Sequence, residues 1–361
     1  MPNFVINGFG RIGRSACRVW LKSHTDKLNL VAINTSGSMP ASSWAQLLKL
    51  DTAYGPLPYK IEAEDTQDPK GATDDNPVIG SLSITTDKSR FHIPLLAQRQ
   101  PTKLPWTKLG VDVVIESTGA FLTRDLAGQH LLAGAKTVVL SAPPKDDSIS
   151  TSVISVNDGQ LTSKDRRDTI TIISNASCTT NCVTPVAAVM HSKIGIRKAM
   201  LLTVHGYTDD QNLQDNSHKD LRRARAAAAN IVPTTTGAAI SATEAIPHLK
   251  GLFDGVALRV PVITGSITDF TFITNRSTSV EEVNEMFIEA THSPLYRHVL
   301  ATSTDPLVSS DIIGRPESAI VDLPFTRVVD GDMVKILAWY DNEYGYANRL
   351  IEQVVSLTEL L

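Results

Sequence analysis

Short apolar runs alternate with helical spacing along the first part of the chain. Phe4-Val5-Ile6 reads as a strand, Ile12, Ala16, Val19 and Trp20 recur at helical intervals, and Leu28–Ile33 reads as a second strand. Val111–Glu116 and Thr137–Leu140 read as further buried strands with a polar-capped helical stretch between them. Such alternation predicts a parallel sheet with crossover helices. From Thr169 the texture changes. Longer runs at Lys198–Val204, Gly255–Val260, Ser266–Ile273 and Asp332–Tyr340 predict a mostly antiparallel sheet, and Ala347–Leu357 is amphipathic, with Leu350, Ile351 and Val354 on one side. Asp209 to Asn230 is polar, carries arginines and is long for a connection, which marks it as functional or interface-forming. Glu62–Gly80, with Asp65, Asp68, Asp74 and Asp75, breaks the rhythm and reads as a solvated surface insertion.

Length and composition change this picture little. The chain has 361 residues, enough for two domains, and its 42% hydrophobic and 20% charged content is that of a globular protein. A formal net charge of -4 gives no general pull toward nucleic acid or an anionic membrane, so no obligatory nucleic-acid partner is expected. Phosphate binding must come from local arginines and backbone N–H groups. Three cysteines do not make a disulfide framework and suit a reducing compartment with a reactive thiol. No targeting pattern precedes the first strand and no apolar run reaches membrane-spanning length, so a cytoplasmic location is expected, without membrane association. No metal centre is expected.

Two stretches carry chemistry. Gly8-Phe9-Gly10-Arg11-Ile12-Gly13 lies between a strand and a helix, the setting of a dinucleotide site: glycines allow a tight turn, and the helix N-terminus offers N–H groups to a pyrophosphate. The second strand ends Ile33-Asn34-Thr35-Ser36, without the acid that would bond the adenosine ribose. Its absence removes a charge that would repel a 2′-phosphate, and Thr35 and Ser36 could donate to one; NADP use, alone or with NAD, is expected, with loosely held NAD as the alternative. In Ser174–Cys182, helical spacing places Cys178 at a helix N-terminus, where the dipole lowers a thiol pKa and N–H groups can stabilise an oxyanion. Cys182, one turn on, reads as core. His205 ends an apolar strand and is the candidate base, although its meeting with Cys178 cannot be read from sequence.

Together with ESTGAF at 116–121, LSAP at 140–143, TVHGYTDDQ at 203–211, HKDLRRARAAAANIVPTTTGAA at 218–239, ALRVPV at 257–262 and WYDNEYGYANR at 339–349, these stretches resemble the glyceraldehyde-3-phosphate dehydrogenase family over nearly the whole chain. The resemblance implies an α/β fold: a Rossmann dinucleotide-binding domain over 1–177, completed by a C-terminal helix at 342–361, and an α+β catalytic domain over 178–341. It implies a homotetramer whose Asp209–Asn230 loop lines a neighbour's cofactor site. It also implies phosphorylating oxidation of glyceraldehyde 3-phosphate through a thioester on Cys178, with His205 as base, hydride passing to NAD(P) and inorganic phosphate as second substrate. By the family pattern, Thr208 and Arg259 bind the substrate phosphate, while Ser177, Thr179, Arg223, Thr236 and Gly237 surround the attacking one. Gly8, Gly10, Arg11, Ile12 and Gly13 hold the pyrophosphate, Ser141 and Asn342 address the nicotinamide portion, and Tyr346 packs near the ring.

Some positions depart from that pattern. Thr35 stands where NAD-preferring members carry aspartate, and Ser217 where they carry proline. With Arg99, at a position that can meet a 2′-phosphate, both changes resemble NADP-accepting members. Thr264–Asp269 departs from the usual strand. Rival readings are an erythrose-4-phosphate dehydrogenase, a non-catalytic binding protein, and oxidation with water in place of phosphate.

Overall fold

Buried apolar runs flanked by glycine turns build the first of two sheets. In the computed structural model, residues 1–161 and 171–359 are described. Thr169, where the change of texture begins, lies outside them. The chain divides into two compact units: Met1–Ser152, Gln160–Ala176 and Leu350–Leu361 form one, and Val153–Gly159 with Ser177–Arg349 form the other.

Among the described residues, the first unit holds a nine-stranded sheet: β1 (Asn3–Asn7), β2 (Asn29–Thr35), β3 (Lys60–Asp65), β4 (Val78–Thr85), β5 (Arg90–Ala97), β6 (Val113–Glu116), β7 (Thr137–Leu140), β8 (Ser150–Thr151) and β9 (Ile172–Ser174), in the order β3-β4-β5-β2-β1-β6-β7-β9-β8. Strands β5-β2-β1-β6-β7-β9 pair in parallel throughout. In chain order this is the doubly-wound sequence of roughly 3-2-1-4-5-6, which reverses between β1 and β6. Strands buried on both faces carry unbroken apolar runs: Phe4, Val5 and Ile6 in β1, Val113–Ile115 in β6, and Val138–Leu140 in β7 are all fully buried.

The stretch expected to be a surface insertion is partly sheet. Its first residues lie on β3, which pairs antiparallel with β4 from Lys60↔Thr85 to Asp65↔Gly80, and only 66–77 is connection. The signal was hidden because β3 is an exposed edge strand, where charged side chains replace alternation and discourage further pairing.

The second unit holds an eight-stranded sheet among the described residues: β10 (Ile196–Gly206), β11 (Val232–Thr235), β12 (Phe253–Val260), β13 (Ser266–Thr274), β14 (Leu300–Ser303), β15 (Ala319–Asp322), β16 (Arg327–Val329) and β17 (Met333–Tyr340). Its pairings are antiparallel except β10 with β12 and β14 with β15, so it is mostly antiparallel, as expected. On β13 burial alternates strictly, the mark of a sheet with one face toward the core. The helix Cys178–Lys193 lies in that core, where Cys182, Val183, Val186 and Met190 join Leu201, Phe270, Phe272 and Ile336. The last helix, Tyr344–Thr358, begins in the second unit and ends in the first.

Candidate active site and dinucleotide cradle

At the carboxyl end of β1 the three glycines do three different things. Gly8 has φ +100°, and a Cβ there would sit 2.8 Å from the Ser117 carbonyl carbon and the Thr118 nitrogen, at the end of β6. A Cβ on Gly13 would lie 2.1 Å from the Gly8 carbonyl oxygen, so only glycine lets the helix Arg11–Ser23 pack this close to the turn. Nothing lies within 4 Å of a Cβ on Gly10, and no side chain caps the helix that starts there. A tight turn, an open approach to a helix N-terminus and close helix packing at the sheet's reversal point form a pyrophosphate cradle, and the residues fit a dinucleotide.

Beneath the cradle a buried hydrogen-bond network ties the strand ends together. Glu116 Oε2 accepts from Asn7 Nδ2 (2.5 Å) and His130 Nε2 (3.0 Å), Glu116 Oε1 accepts from Thr118 N (2.8 Å), and Asn34 Nδ2 donates to Asn7 Oδ1 (2.6 Å). Trp106 Nε1 donates to His130 Nδ1 at 3.0 Å, which leaves Nε2 as the protonated ring nitrogen facing the carboxylate. A buried carboxylate with this many donors is affordable only because every partner is in place. Sequence patterns do not show this network, because its members come from separate strands and helices.

Several expected cofactor residues are engaged differently from the sequence reading. Arg11 pairs bidentately with Asp51, holding that carboxyl below its ordinary pKa, so what remains for a pyrophosphate at this position is backbone N–H. Thr35 is buried; its hydroxyl donates to the Leu96 carbonyl (3.0 Å) and accepts from Gly37 N (3.2 Å). The expected donation from Thr35 to a 2′-phosphate is therefore corrected: its proton is committed to the sheet. Ser36 and Arg99 are the exposed groups at the ends of β2 and β5, where Thr35 pairs with Ala97. Half-buried Ile12 follows Arg11 on the helix, and half-buried Ser141 follows β7 with its N–H on the Glu116 carbonyl (2.9 Å).

The second unit builds the thiol site. Cys178 is the first residue of its helix, and Ser177 caps that helix, its hydroxyl accepting from Thr180 N at 3.1 Å. His205, near the end of β10 and 4% exposed, brings Nε2 to 3.4 Å from Cys178 Sγ. A helix start and a strand end thus bring together a thiol and an imidazole 27 residues apart, which sequence alone could not do. Burial pushes the Cys178 thiol up and, with the Arg259 guanidinium adding to it, pushes His205 down to about 3. A lone charge is opposed on either group. Proton transfer within the pair creates two opposite charges side by side, which is the ionisation a buried site tolerates best.

Other side chains shape the pair. Arg259, opposite His205 in the β10–β12 register, approaches His205 Nδ1 at 2.7 Å and the Gly206 carbonyl at 3.2 Å, while Nδ1 lies 2.6 Å from that carbonyl. These contacts need opposite tautomers: donation from Arg259 puts the proton on Nε2, and donation to Gly206 frees Nε2 to act as base. Tyr340 Oη bridges Thr179 Oγ1 (3.0 Å) and Thr203 Oγ1 (2.8 Å), and its ring meets His205 edge-on at 6.0 Å. Tyr340 lies in the 339–349 stretch that carries the family resemblance, but no role is read for it from sequence.

Two of the expected phosphate residues, Thr208 and Arg223, share Asp210 as a partner. Thr208 Oγ1 and Arg223 Nη1 both donate to Asp210, and Arg223 also donates to Thr234 Oγ1 (3.1 and 2.7 Å). Thr236 Oγ1 accepts from Ala238 N at 3.2 Å, beside Gly237, whose Cβ position is open. Ser217 is exposed on the Asp209–Asn230 loop. Asn342 is buried, its Oδ1 accepting from Ser266 Oγ (2.8 Å) and sharing the Thr264 hydroxyl proton (3.1 Å) with Asp341 Oδ1 (3.1 Å), which turns its Nδ2 the other way. The unusual Thr264–Asp269 segment thereby acquires a purpose, two hydroxyls that orient an amide. Tyr346 is buried in the first turn of the helix Tyr344–Thr358.

A doubly-wound cradle for a dinucleotide in one unit and a helix-terminal thiol beside a buried imidazole in the other are the parts of a nicotinamide-dependent oxidoreductase. Comparison with known proteins gives the family. The family profile described as glyceraldehyde 3-phosphate dehydrogenase, NAD binding domain, matches residues 3–124, and that described as glyceraldehyde 3-phosphate dehydrogenase, C-terminal domain, matches 177–342. Glyceraldehyde-3-phosphate dehydrogenase 2 of Streptomyces arenae is 47% identical over 347 residues, covering 96% of each chain. The glyceraldehyde-3-phosphate dehydrogenase of Zymomonas mobilis is 42% identical over 99% of this chain and 98% of its own. Glyceraldehyde-3-phosphate dehydrogenase A, chloroplastic, of Chlamydomonas reinhardtii is 43% identical over 96% of this chain and 86% of its own. The chain belongs to the glyceraldehyde-3-phosphate dehydrogenase family, whose members are NAD(P)-dependent oxidoreductases. Among the described residues no helix is long and apolar enough to cross a membrane.

Proposed function

We infer that the chain oxidises glyceraldehyde 3-phosphate to 1,3-bisphosphoglycerate through a thioester on Cys178, with inorganic phosphate as second substrate. The observation that carries this reading is the Cys178 Sγ–His205 Nε2 pair, 3.4 Å apart at a capped helix N-terminus. His205 Nε2 takes the thiol proton as Sγ bonds to the aldehyde carbon, and the N–H groups of the helix start face the oxygen that gains charge. Bound NAD or NADP supplies the hydride acceptor. His205 returns that proton to the oxygen, giving the adduct's hydroxyl, and takes it back as the hydride leaves and the thioester carbonyl forms. A phosphate oxygen attacks that carbonyl, the acyl phosphate leaves, and Cys178 is restored.

Thr208 and Arg259 are assigned to the substrate phosphate, and Ser177, Thr179, Arg223, Thr236 and Gly237 to the attacking one. An anion on Arg259 draws the guanidinium from His205 Nδ1, which then donates to the Gly206 carbonyl and leaves Nε2 as the base. Dinucleotide binding is assigned to residues 1–177 with the helix at 342–361, and catalysis to 178–341. Within the cofactor site, Gly8, Gly10, Arg11, Ile12 and Gly13 serve the pyrophosphate, and Ser141, Asn342 and Tyr346 the nicotinamide end. With no carboxylate after β2, Arg99 and a neighbouring subunit's Ser217 in a cytoplasmic homotetramer favour NADP alongside NAD. Initial rates with glyceraldehyde 3-phosphate, for NAD and NADP and with or without phosphate, test the whole. Phosphate-dependent turnover with both cofactors supports it, turnover with NAD alone removes the assignment of Arg99 and Ser217, and phosphate-independent turnover overturns the acyl-transfer step.

A further inference from the structure

The 66–77 connection, which the proposed reaction does not use, is fastened to the residues that flank Arg99. Ala97 N donates to the Pro77 carbonyl at 2.9 Å. The Gln98 main chain is locked to Asn34, its N–H on Asn34 Oδ1 (3.0 Å) and its carbonyl on Asn34 Nδ2 (2.8 Å). Its side chain, in a residue only 9% exposed, makes two further bonds: Nε2 donates to Asp74 Oδ1 at 2.8 Å, and Oε1 accepts from Gln100 N at 2.9 Å. The second of these closes a turn with Arg99 at its centre. Arg99 itself is exposed, and no hydrogen bond or ion pair holds its side chain among the described residues.

A carboxylate can only accept, so Asp74 permits one orientation of the Gln98 amide: nitrogen toward Asp74, oxygen toward the Gln100 N–H. The second Asp74 oxygen is taken by Lys103, and both neighbours hold the carboxyl below its ordinary pKa. The connection therefore brings a carboxylate near a basic residue without spending that residue's charge, because Lys103 and not Arg99 neutralises it. Asp68 and Asp65 are likewise used locally, on Lys70 N and on Ser42.

We propose that Asp74 is a positioning residue for cofactor selection: through Gln98 it fixes the turn that presents Arg99 at the adenosine end of the dinucleotide site, to the 2′-phosphate of NADP. This inference rests on the assignment of Arg99 to that phosphate. An arginine held at a fixed backbone turn loses less freedom on meeting a phosphate than one on a loose loop, and the gain is confined to ligands that carry the phosphate.

Calorimetric titration with adenosine 2′,5′-bisphosphate and with 5′-AMP isolates the adenosine end from catalysis. Arg99→Ala is expected to weaken the bisphosphate about tenfold and leave 5′-AMP unchanged. Asp74→Ala is expected to weaken the bisphosphate about three- to tenfold, again with 5′-AMP unchanged, and to raise KM for NADP with kcat and KM for NAD unaltered. Asp74→Asn keeps an acceptor for Gln98 while removing the charge, and restores binding to within about twofold. If Arg99→Ala removes selectivity but Asp74→Ala does not, the positioning role is overturned and the cofactor assignment stands. If Arg99→Ala changes nothing, both fall. An equal loss for both ligands in Asp74→Ala, or tighter bisphosphate binding in both Asp74 variants, overturns positioning in favour of general loosening or bare electrostatics.

Discussion

The pyrophosphate cradle and the thiol site start from the same local plan, a strand, a short turn and a helix N-terminus, and reach opposite solutions. After β1 the turn is Gly8-Phe9-Gly10, no side chain caps the helix, and the Arg11 guanidinium is held by Asp51. After β9 the turn passes through Ala176, at φ +57°, to a helix capped by Ser177, and the first helical side chain is Cys178, the proposed nucleophile. One site works by leaving backbone bare, the other by fixing side chains against one another. A bare backbone suits an anion that many chemistries share. Fixed side chains suit a reaction that needs one proton moved between two atoms.

The difference is open to test, beginning with the thiol site. Cys178→Ser removes the nucleophile; kcat is expected to fall by at least about 10⁴-fold while dinucleotide affinity, followed by protein fluorescence, stays unchanged. His205→Asn is expected to lower kcat by about 10²–10⁴-fold and to move the pH profile of Cys178 alkylation upward, because the buried thiol loses its proton acceptor. An unaltered alkylation profile would show that the two side chains do not share a proton.

His205 also predicts a pH dependence of stability. Its pKa is about 3 when folded, against an ordinary value near 6.5, so below about 6.5 the unfolded chain binds the extra proton. Stability is complete above about pH 6.5 and is lost progressively as pH falls toward 3. Urea midpoints of wild type should drop across that window more steeply than those of His205→Asn, and parallel curves would contradict the burial argument.

In the cradle the effects should separate by glycine. Gly13→Ala forces a Cβ into the Gly8 carbonyl, so both the melting temperature and dinucleotide affinity should fall, by about 2–3 kcal/mol in stability. Gly10→Ala meets nothing, so the melting temperature should hold while affinity drops. Equal effects at the two positions would remove the distinction between packing and access. The smallest change in affinity is expected at Arg11→Ala: less than about threefold, because the backbone N–H remains, although the abandoned Asp51 lowers stability by about 1–3 kcal/mol.

Periodicity and composition located the central strands and both helix starts, because these depend on residues near one another in the chain. The glycine turn and the cysteine segment were likewise legible, and so was the family. Legibility failed at the sheet edge, where β3 has no buried face to impose alternation, and at Thr35, whose hydroxyl looked available until β5 was laid beside it.

What the sequence by itself determined was which residues could bind or react: glycines where a Cβ cannot fit, a thiol at a helix start, an imidazole at a strand end, an absent acid after β2. Tertiary structure alone decided which of them face one another. Arg11 meets Asp51 across 40 residues, Cys178 meets His205 across 27, Tyr340 reaches Thr179 across 161, and Asp74 reaches Gln98 across 24. Local pattern encodes burial and backbone conformation; the partner of a polar side chain is set by strand order and register, which bring distant residues within hydrogen-bond reach.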